Sequence, residues 1–107
     1  MEVGARIPIA CTLGPGEQTD RVAEWEDFAR TAVTGVEVQG TMARFHLEDS
    51  DEVLLAAASL SQREKECCGF FEFAIELLAG DRWLVARVPP GAEEALAGFA
   101  GHLSAPS

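Results

Sequence analysis

Three cysteines are the residues of this 107-residue chain whose types and spacing best suit chemistry. Cys67 and Cys68 are adjacent, Glu64 precedes them by one helical turn, and Cys11 is distant in sequence. Thiolates are soft ligands, so three thiols without an imidazole favour Hg(II), As(III) or Cu(I). Coordination itself deprotonates a thiol, so such a site needs no thiolate formed in advance. The residues predict a soft-metal site with Cys11, Cys67 and Cys68 as ligands and Glu64 in support.

Zinc sites and nucleophilic cysteines fit this pattern less well. Structural zinc usually takes four Cys or His ligands in spaced pairs such as C-x₂-C, a spacing that this chain lacks. A nucleophilic cysteine needs a helix N-terminus, a cation or an imidazole to stabilise its thiolate. Cys67 and Cys68 instead fall at a predicted helix C-terminus beside Glu64 and Glu66, a setting that raises the pKa of a thiol. Protease-like and thioredoxin-like activities are therefore disfavoured.

Glu64 is the least expected residue of this region. A helical wheel over residues 53–68 places it in the middle of the apolar face, between the two thiols. A carboxylate there costs on the order of several kcal/mol of desolvation unless it is paired, hydrogen-bonded or near a metal. Two interpretations stay open. Either Glu64 reaches solvent or pairs with an arginine such as Arg21 or Arg44, or it belongs to the thiol site as a hydrogen-bond acceptor beside the ligands, as a ligand or as a proton carrier.

Hydrophobic periodicity and turn residues predict the elements that must position these side chains. Hairpins impose antiparallel pairing, so we expect an α+β two-layer sandwich in which a mainly antiparallel sheet of about five strands carries three helices. Its order, βαββαββα, is a variant of the ferredoxin-like arrangement. The order of the strands in the sheet does not follow from the sequence, and whether Cys11 meets Cys67 and Cys68 depends on it. The predicted elements are strands at 6–13, 36–38, 42–47, 71–77 and 82–88 and helices at 20–33, 49–68 and 92–103.

Composition and charge narrow the classes of function. The chain is 48% hydrophobic, enough for one core, so we expect a single domain over residues 1–107 with an ordered core of about 5–103. Its net charge of −10 repels nucleic-acid phosphates and anionic lipids. No apolar run approaches the roughly 18 to 20 residues of a membrane span, the N-terminus lacks the pattern of a secretory signal, and an odd number of cysteines disfavours a disulfide-stapled secreted domain. We expect a cytoplasmic protein that binds neither nucleic acid nor membranes; a homodimer stays open.

Aromatic residues near the cysteines are interpreted as core rather than as a ligand-binding box. Strand alternation places Phe71 and Phe73 in the core and Phe70 on the opposite face. Trp25 is likewise predicted to lie in the core, on the buried face of the first helix. Arg21, one turn before Trp25, is predicted to be solvated, with neutralisation of Glu64 or of an anionic ligand as the alternative.

Two motifs carry a resemblance to a known family. Residues 9–13 read I-A-C-T-L, residues 64–73 read E-K-E-C-C-G-F-F-E-F, and Arg21 and Trp25 lie between them. Over roughly residues 7–88 the chain resembles a family of small bacterial proteins that have an A-C-T-L strand and an E-x-x-C-C-x-F-[FL]-x-F motif. The resemblance implies an association with heavy-metal resistance, especially to mercury or arsenic. The residues that it carries over are Cys11, Cys67 and Cys68, with Glu64 as support.

Three hypotheses about function follow. The first is a protein that binds a soft metal ion or small thiophilic ligand, as a sensor, carrier or scavenger. The alternative is an enzyme similar to organomercurial lyases, in which two thiols hold the metal and Glu64 relays a proton to the leaving carbon. The third is a structural or interaction domain whose cysteines only pack. One ion can join all three cysteines only if the Cβ atom of Cys11 lies within about 8 Å of another cysteine's Cβ atom.

Overall fold

A computed structural model describes residues 15–104 of the chain, without the side chains of residues 15–19 and Cys67. It confirms the predicted α+β class, with three helices and antiparallel hairpins in the described part. The predicted strand at 6–13 lies outside the described residues. The helices are α1 (Pro15–Ala32), α2 (Asp51–Cys67) and α3 (Glu93–Leu103), and the strands are β1 (Val33–Gln39), β2 (Met42–Leu47), β3 (Glu72–Leu77) and β4 (Arg82–Arg87).

The four described strands form one sheet in the order β1-β2-β4-β3, and every neighbouring pair is antiparallel. Each hairpin contributes one inner and one outer strand, and the two hairpins meet where β2 pairs with β4. Within the described residues, β1 and β3 are therefore the edges of the sheet. The prediction of about five strands in a ferredoxin-like order is not confirmed by this arrangement.

Local sequence explains most element boundaries. Gly40 turns the β1–β2 hairpin with a φ of 60°, a conformation that glycine adopts without strain. Ser50 caps α2 by accepting a hydrogen bond from the backbone N–H of Val53 at 3.3 Å. The predicted start of the first helix at residue 20 is wrong, because α1 begins at Pro15. Proline ends a strand, yet its fixed φ also suits the first turn of a helix, and here the helix forms.

The aromatic core joins both layers of the fold. The ring of Phe99, on α3, contacts the Trp25 ring from α1 at a centroid distance of 4.8 Å and the Phe71 ring at 5.2 Å. Trp25 is 2% exposed, Phe71 is buried, and Phe73 is partly buried against the same core. The core positions predicted for these three residues are confirmed.

Phe70 does not lie on the face opposite the core, as strand alternation predicts. Its ring is partly buried and stacks on that of Phe71, with centroids 4.8 Å apart and planes at 29°. Residues 69 and 70 form a turn, and β3 begins only at Glu72. The two-residue period of a strand therefore does not apply to Phe70.

Candidate functional site

The end of α2 meets the first half of α1 at a cluster of four side chains, Arg21, Trp25, Glu64 and Cys68, which we call the Glu64 cluster. Arg21 and Trp25 are four residues apart on α1 and so share a face of that helix. Glu64 lies in the last turn of α2, and Cys68 is the residue that caps the helix. The backbone N–H of Cys68 donates to the carbonyl oxygen of Glu64 at 2.6 Å, which holds the two residues of α2 together.

Glu64 is a buried carboxylate with two partners on α1. Its side chain is 12% exposed. The indole N–H of Trp25 donates a hydrogen bond to Glu64 Oε1 at 3.0 Å, and a terminal guanidinium nitrogen of Arg21 lies 3.6 Å from the same oxygen. The pairing with an arginine that the sequence left open is therefore found with Arg21, whereas Arg44 pairs with two glutamates of the sheet.

Cys68 is the described thiol of the site. The residue is 7% exposed, and its thiol donates a hydrogen bond to the carboxylate of Glu64. Burial, then the charge of Glu64 and this hydrogen bond, raise the pKa of the Cys68 thiol to about 12, against an opposing effect of Arg21. The predicted rise in the pKa of the Cys68 thiol is confirmed. Burial is its largest cause, and the helix dipole is not needed to explain it. A thiol that is protonated at neutral pH is a poor nucleophile.

Arg21 is not the solvated arginine that the sequence predicts. Its side chain is 16% exposed and lies between two carboxylates, 3.5 Å from Glu24 and 3.6 Å from Glu64. The buried terminal nitrogen that faces Glu64 has no hydrogen-bond acceptor among the residues described, since 3.6 Å allows charge attraction but not a hydrogen bond. Arg63 of α2 donates to both carboxylate oxygens of Glu24, at 3.1 and 3.0 Å. A row of side chains with alternating charge therefore joins α1 to α2. In order, they are Arg63, Glu24, Arg21 and Glu64.

Trp25 has a role in the site that the sequence reasoning missed. It was interpreted only as core, yet its indole N–H donates a hydrogen bond to Glu64 Oε1 at 3.0 Å. Two signals pointed to it. A buried indole needs an acceptor for its N–H group, and Trp25 shares a helix face with the arginine considered as a partner of Glu64.

The other two predicted ligands are not tested by this geometry. Cys67 is the last residue of α2, directly before Cys68, but its side chain is outside the described part; Cys11 lies outside the described residues altogether. Among the side chains that are described, no three His, Cys, Asp or Glu residues form a group that could hold a metal ion. The structure brings Glu64 and Cys68 together, and the three-cysteine ligand set remains a prediction.

None of the three helices of residues 15–104 combines the length and apolarity needed to cross a membrane. Comparison of the chain with known protein families, with curated proteins and with solved structures finds no match. The resemblance to a family associated with heavy-metal resistance is therefore still an expectation from two sequence motifs. The chemistry of the Glu64 cluster is the feature of the described structure that bears on function.

Proposed function

We propose that this protein binds a soft metal or metalloid ion, Hg(II), As(III) or Cu(I), and serves as its sensor, carrier or scavenger. Cys67 and Cys68 supply two thiolate ligands and Cys11 supplies the third. The observation that carries the proposal is the buried thiol of Cys68 hydrogen-bonded to the carboxylate of Glu64. Such a pair provides both a soft ligand and an acceptor for the proton that this ligand must lose.

Glu64 is placed to take that proton. When a metal ion bonds to the sulfur of Cys68, the S–H bond breaks, and the proton moves along the existing hydrogen bond to the carboxylate. A protonated carboxyl group is much less costly to bury than a carboxylate. Arg21 then keeps the carboxylate of Glu24, 3.5 Å away, as its partner. The site can therefore exchange a proton for a metal ion without leaving an isolated buried charge.

The raised pKa of the Cys68 thiol also predicts selectivity for soft ions. At pH 7, ionising a thiol with a pKa of about 12 costs on the order of 7 kcal/mol, compared with about 3 kcal/mol at the ordinary value of 9.0. The metal–sulfur bond must supply this difference. Mercury and arsenic form strong bonds to thiolate, whereas zinc prefers four ligands in a tetrahedral site. We therefore expect zinc to bind much more weakly.

A metal titration tests the proposal. The reduced protein is expected to bind one equivalent of Hg(II) or As(III), and Zn(II) should fail to displace it in a competition measurement. Cys67→Ser and Cys68→Ser should each weaken soft-metal binding while the circular dichroism of the fold is unchanged. Leu55→Ser, at a 70% exposed position on α2, serves as the control. Equal or tighter zinc binding would contradict the proposal, and an unaltered affinity in either cysteine variant would exclude that residue as a ligand.

Glu64→Gln separates charge from shape in the same titration. Glutamine retains an oxygen that can accept the indole N–H of Trp25, but it cannot take the proton of Cys68. We expect metal affinity to fall by about 10- to 100-fold, as for other residues that bond to a ligand rather than to the metal. Glu66→Gln, an exposed carboxylate in the same turn, should leave the affinity unchanged.

An unaltered titration curve for Glu64→Gln would remove Glu64 from the site. The variant also tests the lyase-like alternative. If Glu64 donates a proton to the leaving carbon of an organomercurial, cleavage of that substrate should collapse in Glu64→Gln while Hg(II) still binds.

A further inference from the structure

The sheet brings a hydroxyl group, an imidazole and a carboxylate into one chain of hydrogen bonds, away from the Glu64 cluster. The hydroxyl oxygen of Thr34, on β1, lies 2.6 Å from Nδ1 of His46, on β2. Nε2 of the same ring lies 2.8 Å from a carboxylate oxygen of Asp81, in the turn between β3 and β4. We call these three residues the Thr34 triad. They are 12 and 35 positions apart in the sequence, so only the fold brings them together.

An irregularity at the start of β1 directs the side chain of Thr34 toward His46. Val33 pairs with Leu47 and Gly35 pairs with His46, so Thr34 is one extra residue between two consecutive positions of β2. Such a bulge points a side chain in a direction that strand alternation would not give, and bulges are frequent beside active sites. Thr34 is exposed, so a molecule from solution can reach its hydroxyl group.

The imidazole of His46 is fixed on both sides of the ring plane and at both nitrogens. It makes an edge contact with the indole of Trp83, with ring centroids 4.8 Å apart and planes at 76°. When Nε2–H donates to Asp81, Nδ1 has its lone pair free to accept the hydroxyl proton of Thr34. The hydroxyl also lies 3.4 Å from the backbone carbonyl oxygen of His46, which is too long to compete with the contact at 2.6 Å.

This arrangement is that of an activated nucleophile. A hydroxyl group is a weak nucleophile by itself, and a base within hydrogen-bond reach activates it by taking its proton. A carboxylate on the far nitrogen holds the imidazole in the required tautomer and stabilises the imidazolium that forms. Thr34, His46 and Asp81 have the residue types and the order of contacts for these three roles.

Thr34 also lines a groove that could hold a substrate. The groove has a volume of about 640 Å³, within the usual range for small-molecule sites, and lies between the end of α1, the start of β1 and the end of α3. Its lining is mostly apolar and includes Ala29, Val33, Val36 and Leu103. The candidate nucleophile is therefore next to a surface that suits an alkyl chain.

We propose that the Thr34 triad hydrolyses small uncharged carboxylic esters whose acyl chain lies in this groove. The hydroxyl oxygen of Thr34 bonds to the carbonyl carbon, its proton passes to Nδ1 of His46, and the bond from carbon to the alcohol oxygen breaks. His46 returns the proton to the departing alcohol. Water then attacks the acyl group on Thr34 with His46 again as base, which releases the acid and restores the hydroxyl group. The net charge of −10 disfavours anionic esters.

A fluorophosphonate probe tests the nucleophile in the reduced, metal-free full chain. The probe loses fluoride to an activated hydroxyl oxygen and stays covalently bound, so mass spectrometry of the digested protein locates it. We expect one equivalent on Thr34 in the native chain and none on Thr31, a threonine whose hydroxyl donates only to a helix carbonyl in the described structure. No label on Thr34 would overturn the proposal.

Hydrolysis of p-nitrophenyl butyrate tests the base. Thr34→Val and His46→Gln should each lower kcat/KM by about 100-fold or more, and Thr34→Ser should recover it to within about tenfold of the native rate. The control is His102→Gln, because His102 also bonds to a carboxylate, that of Glu26 at 2.9 Å. Equal losses in both histidine variants would show nonspecific imidazole catalysis and would overturn the proposal, as would an unchanged rate in His46→Gln.

Two further measurements assign Asp81 and the groove. Asp81→Asn should lower kcat by about tenfold while KM is unchanged, since the carboxylate acts through His46 and does not touch the ester. An unchanged kcat would remove Asp81 from the triad. The KM for p-nitrophenyl butyrate should be about tenfold below that for the acetate, because two more methylene groups enter the groove, and equal values would exclude the groove as the acyl site. No metal ion is present in these assays, so the ester site and the proposed metal site can fail separately.

Discussion

Glu64→Leu is expected to lower the free energy of unfolding by about 3 kcal/mol, the lower end of the range for breaking a buried ion pair. Arg21, 16% exposed, loses one of its two carboxylates, and the indole N–H of Trp25 loses its acceptor. Leucine cannot replace either interaction, although its volume is similar. Urea denaturation monitored by circular dichroism measures the change. A loss below about 0.5 kcal/mol is typical of a surface carboxylate and would contradict the buried site.

The double variant Arg21→Met with Glu64→Leu provides the control. Apolar residues in place of both members of a buried ion pair usually cost far less than the removal of one member. We expect the double variant to be more stable than Glu64→Leu by at least about 1 kcal/mol. If the costs of the two single changes simply add, Arg21 and Glu64 do not interact. Glu24→Gln, at the more exposed pair with Arg63, should cost less than about 1 kcal/mol.

Stability should fall at alkaline pH because of Cys68. The thiol titrates near pH 9.0 in the unfolded chain and near pH 12 in the folded protein. Between these values the unfolded state releases a proton that the folded state keeps. The contribution of this thiol is therefore complete below pH 9 and decreases by about 1.4 kcal/mol per pH unit above it.

Cys68→Ala isolates this effect. The difference in unfolding free energy between the native chain and the variant should be constant from pH 7 to 9 and then shrink, by about 3 kcal/mol at pH 11. Other groups that titrate in this range are common to both proteins and cancel. A difference that stays flat up to pH 11 would show that the thiol is neither buried nor bonded to Glu64.

Helix α2 shows what could be predicted from the sequence. Its start at Ser50 and its end at the cysteines were predicted within a residue or two, because caps are local interactions between neighbours in the chain. The position of Glu64 on the buried face followed from the helical period alone. Its partners did not follow, since they depend on how α1 docks on α2. Arg21 was one of two arginines considered, and the hydrogen bond from Trp25 was not foreseen.

The order of the strands in the sheet, in contrast, could not be predicted from the sequence. Both hairpins were predicted, because their turns are short and local, but nothing in either hairpin determines that β2 pairs with β4. That contact joins residues about forty positions apart, as in the pair of Phe45 and Leu84, and it depends on the fit of whole faces. Phe70 was misplaced for a related reason: the turn that carries it is fixed by the end of α2 rather than by the strand pattern.

The hydrogen bond between Trp25 and Glu64 has an optical consequence. The emission of an indole depends on the charge nearest its N–H group, so the fluorescence of Trp25 reads the protonation of a carboxylate 3.0 Å away. The second tryptophan, Trp83, lies across the sheet under the guanidinium of Arg44, 4.0 Å from its ring centroid. In the Trp83→Phe variant, the tryptophan fluorescence of the protein comes from Trp25 alone. This residue is 2% exposed, and its indole N–H is hydrogen-bonded to Glu64. The fluorescence of Trp25 should therefore change when the proton of the Cys68 thiol moves to Glu64.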